Sequence, residues 1–172
     1  GKAIDIALRK RDKDWETEVF RLISLMQNYM SGEKLDFDYT EAREMICNKE
    51  GTLNRYIRRI LAEVDPHVLR TTALNLGFEA FFHGTKTIRR MREVHQCNVP
   101  WLILMDPTSA CNLHCTGCWA AEYGNRLNLT FEEMDDVIRQ GKELGIYFYM
   151  YTGGEPLVRK ADLIRLCEKH DD

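Results

Sequence analysis

Three cysteines within a short segment are the residues of this sequence best suited to chemistry. The segment CNLHCTGCW, residues 111–119, carries them as Cys111, Cys115 and Cys118. Three thiolates suit an iron-sulfur cluster or zinc, although structural zinc and electron-transfer [4Fe-4S] clusters ordinarily have four protein ligands. A cluster held by three cysteines keeps one iron open to another molecule. The spacing therefore predicts a metal centre, and one with an open iron if the metal is an iron-sulfur cluster.

A structural zinc site is the alternative interpretation of the same loop. His114, Cys97 or a residue outside this sequence would then supply the fourth ligand, but none stands at a zinc-finger spacing. The protein would in that case be a non-catalytic binding module stabilised by zinc or by a cluster.

A second motif, GGEP at residues 153–156, follows a strand-like run. Glycines at the end of a strand tolerate positive φ and let the backbone approach a ligand, so that carbonyl groups can face an ammonium group. Such a motif alone is most often a turn. It gains significance from the cysteine loop before it.

Alternating strands and helices surround the two motifs. The hydrophobic patterns predict a buried strand at 101–106, a helix at 130–145, a strand at 146–152 and a helix at 161–170. Thr130 and Glu133 stand at the spacing of a capping box at the start of the first of these helices. This order indicates parallel strands joined by a right-handed crossover, and so an α/β fold. The cysteines directly follow the first strand, where α/β proteins build their ligand sites.

The two motifs, in this order and on these elements, resemble the radical S-adenosylmethionine (radical SAM) superfamily. The resemblance covers about residues 99–172 and implies the first β/α units of a partial (β/α)6 barrel. It also implies that Cys111, Cys115 and Cys118 hold a [4Fe-4S] cluster, whose fourth iron binds the amino and carboxylate groups of S-adenosylmethionine.

The glycine-rich motif has its own role in the resemblance. Gly153, Gly154 and Glu155 match the stretch that contacts the methionine amino group of S-adenosylmethionine. Many members carry an aromatic residue directly before the last cysteine, whereas this sequence has Gly117 there and Trp119 after Cys118.

The resemblance also implies an activity and a partner. An external one-electron donor of the flavodoxin or ferredoxin type reduces the cluster, and S-adenosylmethionine is cleaved to methionine and a 5′-deoxyadenosyl radical that takes hydrogen from a substrate. The sequence assigns no further catalytic residue and does not identify the substrate.

The first hundred residues lack strand signals and are predicted to be helical. Helices are expected over 13–32 and 65–84, the second with Asp65 as its N-cap, and shorter ones near 40–48, 53–64 and 86–96. We therefore expect a helical N-terminal region at 1–97 and the start of the radical SAM core at 98–172. The helices are expected to be a scaffold packed against the barrel, with a recognition domain as the alternative.

Two strands cannot complete a barrel wall. They leave long unpaired edges, which natural sheets cover or pair. We therefore expect this chain to be the front part of a longer enzyme.

Composition limits the function classes. The 172 residues are 44% hydrophobic and 30% charged, which indicates a folded globular protein. The formal net charge of -3 gives no overall positive field, so nucleic acid is not an expected partner. No signal-like start or membrane-length apolar run occurs, and closely spaced thiols suit a reducing compartment. A cytoplasmic protein without transmembrane segments is expected.

Two further cysteines stand apart from the loop. Cys47 and Cys167 lie within predicted helices, and helical spacing places Cys167 on the same face as Leu163 and Ile164. Both are expected to be core residues.

Overall fold

The structure, a computed structural model, describes residues 1–10, 13–29, 39–118, 124 and 126–171. The chain divides into two compact units, Gly1–Phe78 and Glu79–Asp172. The first unit is helical in its described parts, and the second contains a parallel sheet. The boundary that we expected at residue 97 stays a prediction. The helix that ends before it, Thr85–His95, packs with residues of the second unit.

Helices build the first unit. They are α1 (Lys2–Arg9), α2 (Trp15–Tyr29), α3 (Tyr39–Cys47), α4 (Thr52–Glu63) and α5 (Pro66–Thr72). A π-helix, Ala73–Gly84, follows and crosses into the second unit. The Asp65 cap predicted for α5 is confirmed, since its carboxylate accepts a hydrogen bond from the His67 backbone N–H at 2.8 Å.

The single helix expected over 65–84 is wrong in its second half. There the chain adopts the wider π-helical turns instead of continuing α5. Gly77 lies within these turns, and its low helix propensity weakens the α-helical alternative.

Ion pairs tie α1 to the rest of the first unit. Arg70 Nε of α5 donates to Asp5 Oδ1 at 2.7 Å, and Lys10 Nζ donates to Glu18 Oε1 of α2 at 2.6 Å. Glu18 is buried, so the bond from Lys10 supplies the partner that a buried carboxylate needs. The same bond lowers the pKa of Glu18.

The second unit follows the predicted order of strands and helices. It contains α6 (Thr85–His95), β1 (Leu102–Met105), α7 (Phe131–Glu143), β2 (Phe148–Tyr151), a 3₁₀ turn (Pro156–Arg159) and α8 (Lys160–Lys169). The strands pair in parallel, from Leu102 opposite Phe148 to Met105 opposite Tyr151. The predicted α/β class is thus confirmed, with a small parallel sheet joined through α7.

Two apolar clusters form the core of this unit. The larger joins β1, α7 and α8, and its buried members are Met105, Met134, Ile138, Leu163 and Leu166. The smaller contains Ile88 of α6 together with Val99 and Ile146, which precede the two strands. The core therefore packs the strands against α6, which precedes β1 in the sequence, and against α7 and α8, which follow β1.

The N-terminus of α7 carries the predicted capping box. Thr130 Oγ1 accepts a hydrogen bond from the Glu133 N–H at 3.1 Å, and a carboxylate oxygen of Glu133 accepts one from the Thr130 N–H at 2.7 Å. Two helix-end donors are satisfied in this way, which fixes where α7 begins.

Cys47 and Cys167 correct the sequence analysis, because both are exposed. In α8 the buried positions are Leu163 and Leu166, so Cys167 comes one position after the buried stripe. In α3 the residue before Cys47, Ile46, takes the buried place.

None of the helices within the described ranges has both the length and the apolar character needed to cross a membrane.

Acid should weaken the contact between α7 and α8. Asp135 accepts a hydrogen bond from Lys169 Nζ at 2.7 Å, and His170 Nε2 lies 2.9 Å from its other oxygen. The Lys169 bond, with a smaller effect of His170, lowers the pKa of Asp135 from its ordinary value of 3.8. The contribution to stability is therefore complete above pH 3.8 and is lost as the pH falls through the lower folded pKa.

Urea denaturation at several pH values tests this linkage. We expect Asp135→Asn to be less stable than the parent at pH 6, with the difference shrinking below pH 3.8. Glu168→Gln, which changes an exposed carboxylate on α8, is the control and should keep the parent's pH dependence. A constant difference between Asp135→Asn and the parent across this range would contradict the assignment.

Candidate metal and cofactor site

The cysteine loop begins and ends at a short two-sided stem, which we define as residues 107–109 and 127–129. The Ser109 N–H donates to the Leu127 carbonyl at 2.8 Å, and the Leu129 N–H donates to the Pro107 carbonyl at 3.0 Å. Thr108 and Asn128 form an antiparallel bridge between these bonds. The stem directly follows β1 and directly precedes the cap of α7, so both ends of the loop are anchored to the core.

Thr108 is the buried centre of the stem, with 1% of its surface exposed. Its hydroxyl donates to Asn128 Oδ1 at 2.6 Å and accepts from the Ala110 N–H at 3.0 Å. One side chain thus links the two sides of the stem to the residue before Cys111. This role of Thr108 could not be predicted from the sequence, since a threonine after a strand carries no distinctive signal.

The GGEP segment lies alongside the start of the cysteine loop. The N–H of Gly154 donates to the Thr108 carbonyl at 3.0 Å, and the N–H of Glu155 donates to the Ala110 carbonyl at 2.8 Å. These bonds continue the pairing of β1 and β2 beyond the strand ends. The two motifs, about forty residues apart in sequence, are therefore neighbours at the carboxyl edge of the sheet.

A side-chain bond reinforces this edge. Thr152 Oγ1 donates to Asp106 Oδ1 at 2.7 Å, which joins the residues directly after β2 and β1. The sequence analysis missed this pair too, because the contact depends on the register of two strands that are distant in sequence.

Glycine is required at the first two positions of the motif. Gly153 has φ of +98°, and a Cβ there would lie 2.9 Å from the Thr108 carbonyl oxygen. A Cβ on Gly154 would overlap the carbonyl oxygen of Ala110 and lie 2.8 Å from the carbonyl carbon of Ser109. We expected these glycines to let a ligand approach the backbone. The structure shows that they let the backbone of residues 108–110 approach it.

Glu155 uses its side chain locally. Its carboxylate accepts a hydrogen bond from the Leu157 N–H at 3.0 Å and so caps the 3₁₀ turn that follows. Its backbone N–H donates to the carbonyl of Ala110, next to Cys111. The residue therefore fixes how the chain leaves the motif.

The three cysteines lie on one loop but do not form a closed ligand set. Cys111 and Cys115 are exposed and Cys118 is partly buried, and none forms a disulfide. The Cys118 N–H donates to the Cys115 carbonyl at 3.2 Å, and Cys111 Sγ accepts from the Leu113 N–H at 3.4 Å. Within the described residues, no three His, Cys, Asp or Glu side chains are grouped to hold a metal ion.

The donor set nevertheless fits an iron-sulfur cluster. Three soft thiols follow a strand end on one loop, where solvent-exposed side chains can turn toward a common metal. His114 and Cys97, the zinc alternatives, are both exposed. Trp119 lies outside the described residues.

Two phenols near the strand ends are held neutral. Burial raises the pKa of Tyr151 to about 12, with a smaller contribution from Cys167. Burial also raises the pKa of Tyr149, whose hydroxyl lies 3.0 Å from the Ile138 carbonyl. Both phenols are therefore protonated at neutral pH.

Comparison with known proteins identifies the family. Residues 105–171 match the model of the radical SAM superfamily. This match spans the stem, the cysteine loop, α7, β2, the GGEP segment and α8. This part of the chain therefore belongs to the radical SAM superfamily, as the motifs predicted. Membership implies a [4Fe-4S] cluster and S-adenosylmethionine as cofactors.

The similar curated proteins share one name. The chain is 45% identical over 58 residues to a GTP 3′,8-cyclase of Alkaliphilus oremlandii (strain OhILAs), covering 31% of this chain and 18% of the cyclase. It is 36% identical over 74 residues to a GTP 3′,8-cyclase of Syntrophomonas wolfei, covering 41% and 22%. The chain thus spans about a fifth of the length of the curated relatives that it matches. No solved structure matches it.

Replacing Gly154 should disrupt the contact between the two motifs. A Cβ at this position meets backbone atoms of residues 109 and 110, which cannot move without breaking the stem. We expect Gly154→Ala to lower the free energy of unfolding by about 1–3 kcal/mol. Urea denaturation followed by circular dichroism measures this.

Gly77→Ala is the matched control, because a Cβ there meets nothing within 4 Å. It should be neutral or slightly stabilising, as alanine favours helical backbone. Equal stability of Gly154→Ala and the parent would show that the two motifs are not in contact.

Proposed function

We propose that this chain carries the cluster-binding and S-adenosylmethionine-binding part of a radical SAM enzyme. The observation that supports it most is the pair of backbone hydrogen bonds from Gly154 and Glu155 to Thr108 and Ala110. They bring the glycine motif beside the residue that precedes Cys111. A ligand held by one motif would therefore lie close to a metal held by the other.

Each motif supplies a different kind of group in this proposal. Cys111, Cys115 and Cys118 give three thiolates to the cluster, and backbone groups of Gly153, Gly154 and Glu155 accept hydrogen bonds from the amino group of S-adenosylmethionine. A bound and reduced cluster would supply the electron that cleaves S-adenosylmethionine to methionine and a 5′-deoxyadenosyl radical, and this radical would take a hydrogen atom from the substrate.

The loop has to tighten when the cluster binds. Cys111 and Cys115 are exposed, Cys118 is partly buried and the three thiols are not grouped, while the stem is closed by backbone bonds and by buried Thr108. Metal binding commonly organises such loops, because ligand bonds offset the entropy lost on ordering. In this proposal the stem keeps the ends of the loop fixed while residues 111–118 rearrange.

The remaining parts of the proposal follow from the superfamily. An external one-electron donor of the flavodoxin or ferredoxin type would reduce the cluster, and clustered thiols favour a cytoplasmic location. β1 and β2 would begin a partial (β/α)6 barrel, with residues 1–97 as a helical scaffold beside it. The cyclase relatives support shared cofactor chemistry, but a match to a fifth of their length assigns no nucleotide substrate.

Anaerobic reconstitution with iron and sulfide tests the proposed ligands. We expect a brown protein with about four iron atoms per chain, as a [4Fe-4S] cluster requires. Cys111→Ala, Cys115→Ala and Cys118→Ala should each lose the cluster, because each removes one of three thiolates.

Cys47→Ala and Cys167→Ala are matched controls, since both cysteines are equally accessible but stand away from the loop. They should keep the parent's iron content. A colourless protein with one zinc would instead support the non-catalytic module, and loss of iron in Cys47→Ala would show that the ligand set is wrong.

A further inference from the structure

Arg159 joins both sides of the stem from a third segment of the chain. It ends the 3₁₀ turn that follows GGEP. Its Nη1 donates to the Leu129 carbonyl at 2.6 Å and lies 3.4 Å from the Pro107 carbonyl. Leu129 and Pro107 are themselves hydrogen-bonded across the stem. One guanidinium nitrogen therefore contacts both segments of the stem, the one that leads into the cysteine loop and the one that leads out of it.

The other two nitrogens of Arg159 are held by Asp162. Nε and Nη2 donate to Asp162 Oδ2 at 2.9 and 2.7 Å. The side chains of Arg159 and Asp162 are only 20% and 24% exposed, so solvent screens the pair incompletely. Arg165 adds a second cation, with Nη1 3.6 Å from the other oxygen of Asp162. The guanidinium is thus fixed in orientation with Nη1 toward the stem.

A purely local role for Arg159 does not explain these contacts. An arginine and an aspartate three residues apart at the start of a helix are an ordinary ion pair, of little consequence when exposed. The bond to the Leu129 carbonyl instead spans thirty residues and is the shortest that Arg159 makes. A planar, five-donor guanidinium can bind a carboxylate through two nitrogens while its third nitrogen faces two carbonyls, a fixed geometry that a lysine ammonium does not provide.

We infer that Arg159 is a positioning residue that keeps the stem closed, so that the cysteine loop is held for the cluster and in register with the GGEP segment. This inference rests on the proposed function. Holding the ends of a loop together lowers the entropic cost of bringing its ligands to one metal. Because Arg159 follows Glu155 closely, the same contact keeps Gly154 and Glu155 beside Ala110. Arg159 therefore couples both motifs through the stem.

Hydrogen exchange of the metal-free chain tests this role of Arg159. Arg159→Met keeps an unbranched apolar stem and removes all the donors of the side chain. We expect the amides of Ser109 and Leu129, which close the stem, to exchange about tenfold faster, as expected when a charged hydrogen bond is lost. The amide of Ile146, bonded to the Gly141 carbonyl away from the stem, should be unchanged. Arg139→Met, on the exposed face of α7, is the control and should leave all three amides unchanged.

The reconstituted chain tests the consequence for the cluster. We expect Arg159→Met to lose its cluster to an iron chelator at least threefold faster than the parent and Arg139→Met. Asp162→Asn should fall between them, since it loosens the guanidinium without removing it. Arg159→Lys should restore part of the lifetime, because it keeps one charged donor but not the fork.

The outcomes separate this inference from the proposed function. If the parent binds no cluster, the proposed function fails, while the exchange experiment still decides whether Arg159 closes the stem. If the parent binds a cluster and Arg159→Met matches Arg139→Met in exchange or in cluster lifetime, the inference is overturned. Equal acceleration of every amide, Ile146 included, would also overturn it, because Arg159 would then support the whole unit. Should Arg159→Met not fold, Arg159→Lys and Asp162→Asn provide the same comparisons.

Discussion

The candidate site depends on backbone pairing that continues beyond the ends of β1 and β2. The N–H groups of Thr152, Gly154 and Glu155 donate in succession to carbonyls of Met105, Thr108 and Ala110. These bonds require the two chains to approach so closely that a side chain at position 154 would collide with backbone. The glycine motif is therefore a structural condition for the site as well as the proposed binder of an amino group. The two roles use different backbone groups, because N–H groups of the segment pair with the loop and the proposed contact to an amino group uses its carbonyl groups.

The loop is linked to the core through its stem. Leu129 pairs with Pro107 and is followed at once by Thr130, whose capping box begins α7. That helix buries Met134 and Ile138 against Met105 at the end of β1. The same apolar cluster therefore holds the end of β1 close to the start of α7, and the stem lies between these two elements. A rigid base of this kind lets residues 111–118 remain exposed and irregular, so that a metal can order them without disturbing the fold.

Features that depend only on residues close together in the sequence could be predicted from it. The Asp65 cap, the Thr130–Glu133 capping box and the order of strands and helices were readable because each follows from neighbouring residues. The exposure of Cys167 was not, since helical spacing alone allows either Leu166 or Cys167 to take the buried stripe and packing against Met105 selects the first. The reach of Arg159 to Leu129 was equally hidden. Its contact arises from the parallel register and the crossover, which bring residues thirty positions apart together.

The most direct test is whether the amino group of S-adenosylmethionine binds iron in a cluster held by this loop. Electron-nuclear double resonance on the reconstituted and reduced chain, with S-adenosylmethionine isotopically labelled at its amino nitrogen, measures this contact. We predict a coupling between the labelled nitrogen and the cluster, together with a change in the cluster's paramagnetic resonance spectrum when S-adenosylmethionine is added. A reduced cluster whose spectrum is the same with and without S-adenosylmethionine, and which shows no such coupling, would contradict the assignment of the cysteine loop and the GGEP segment to one site.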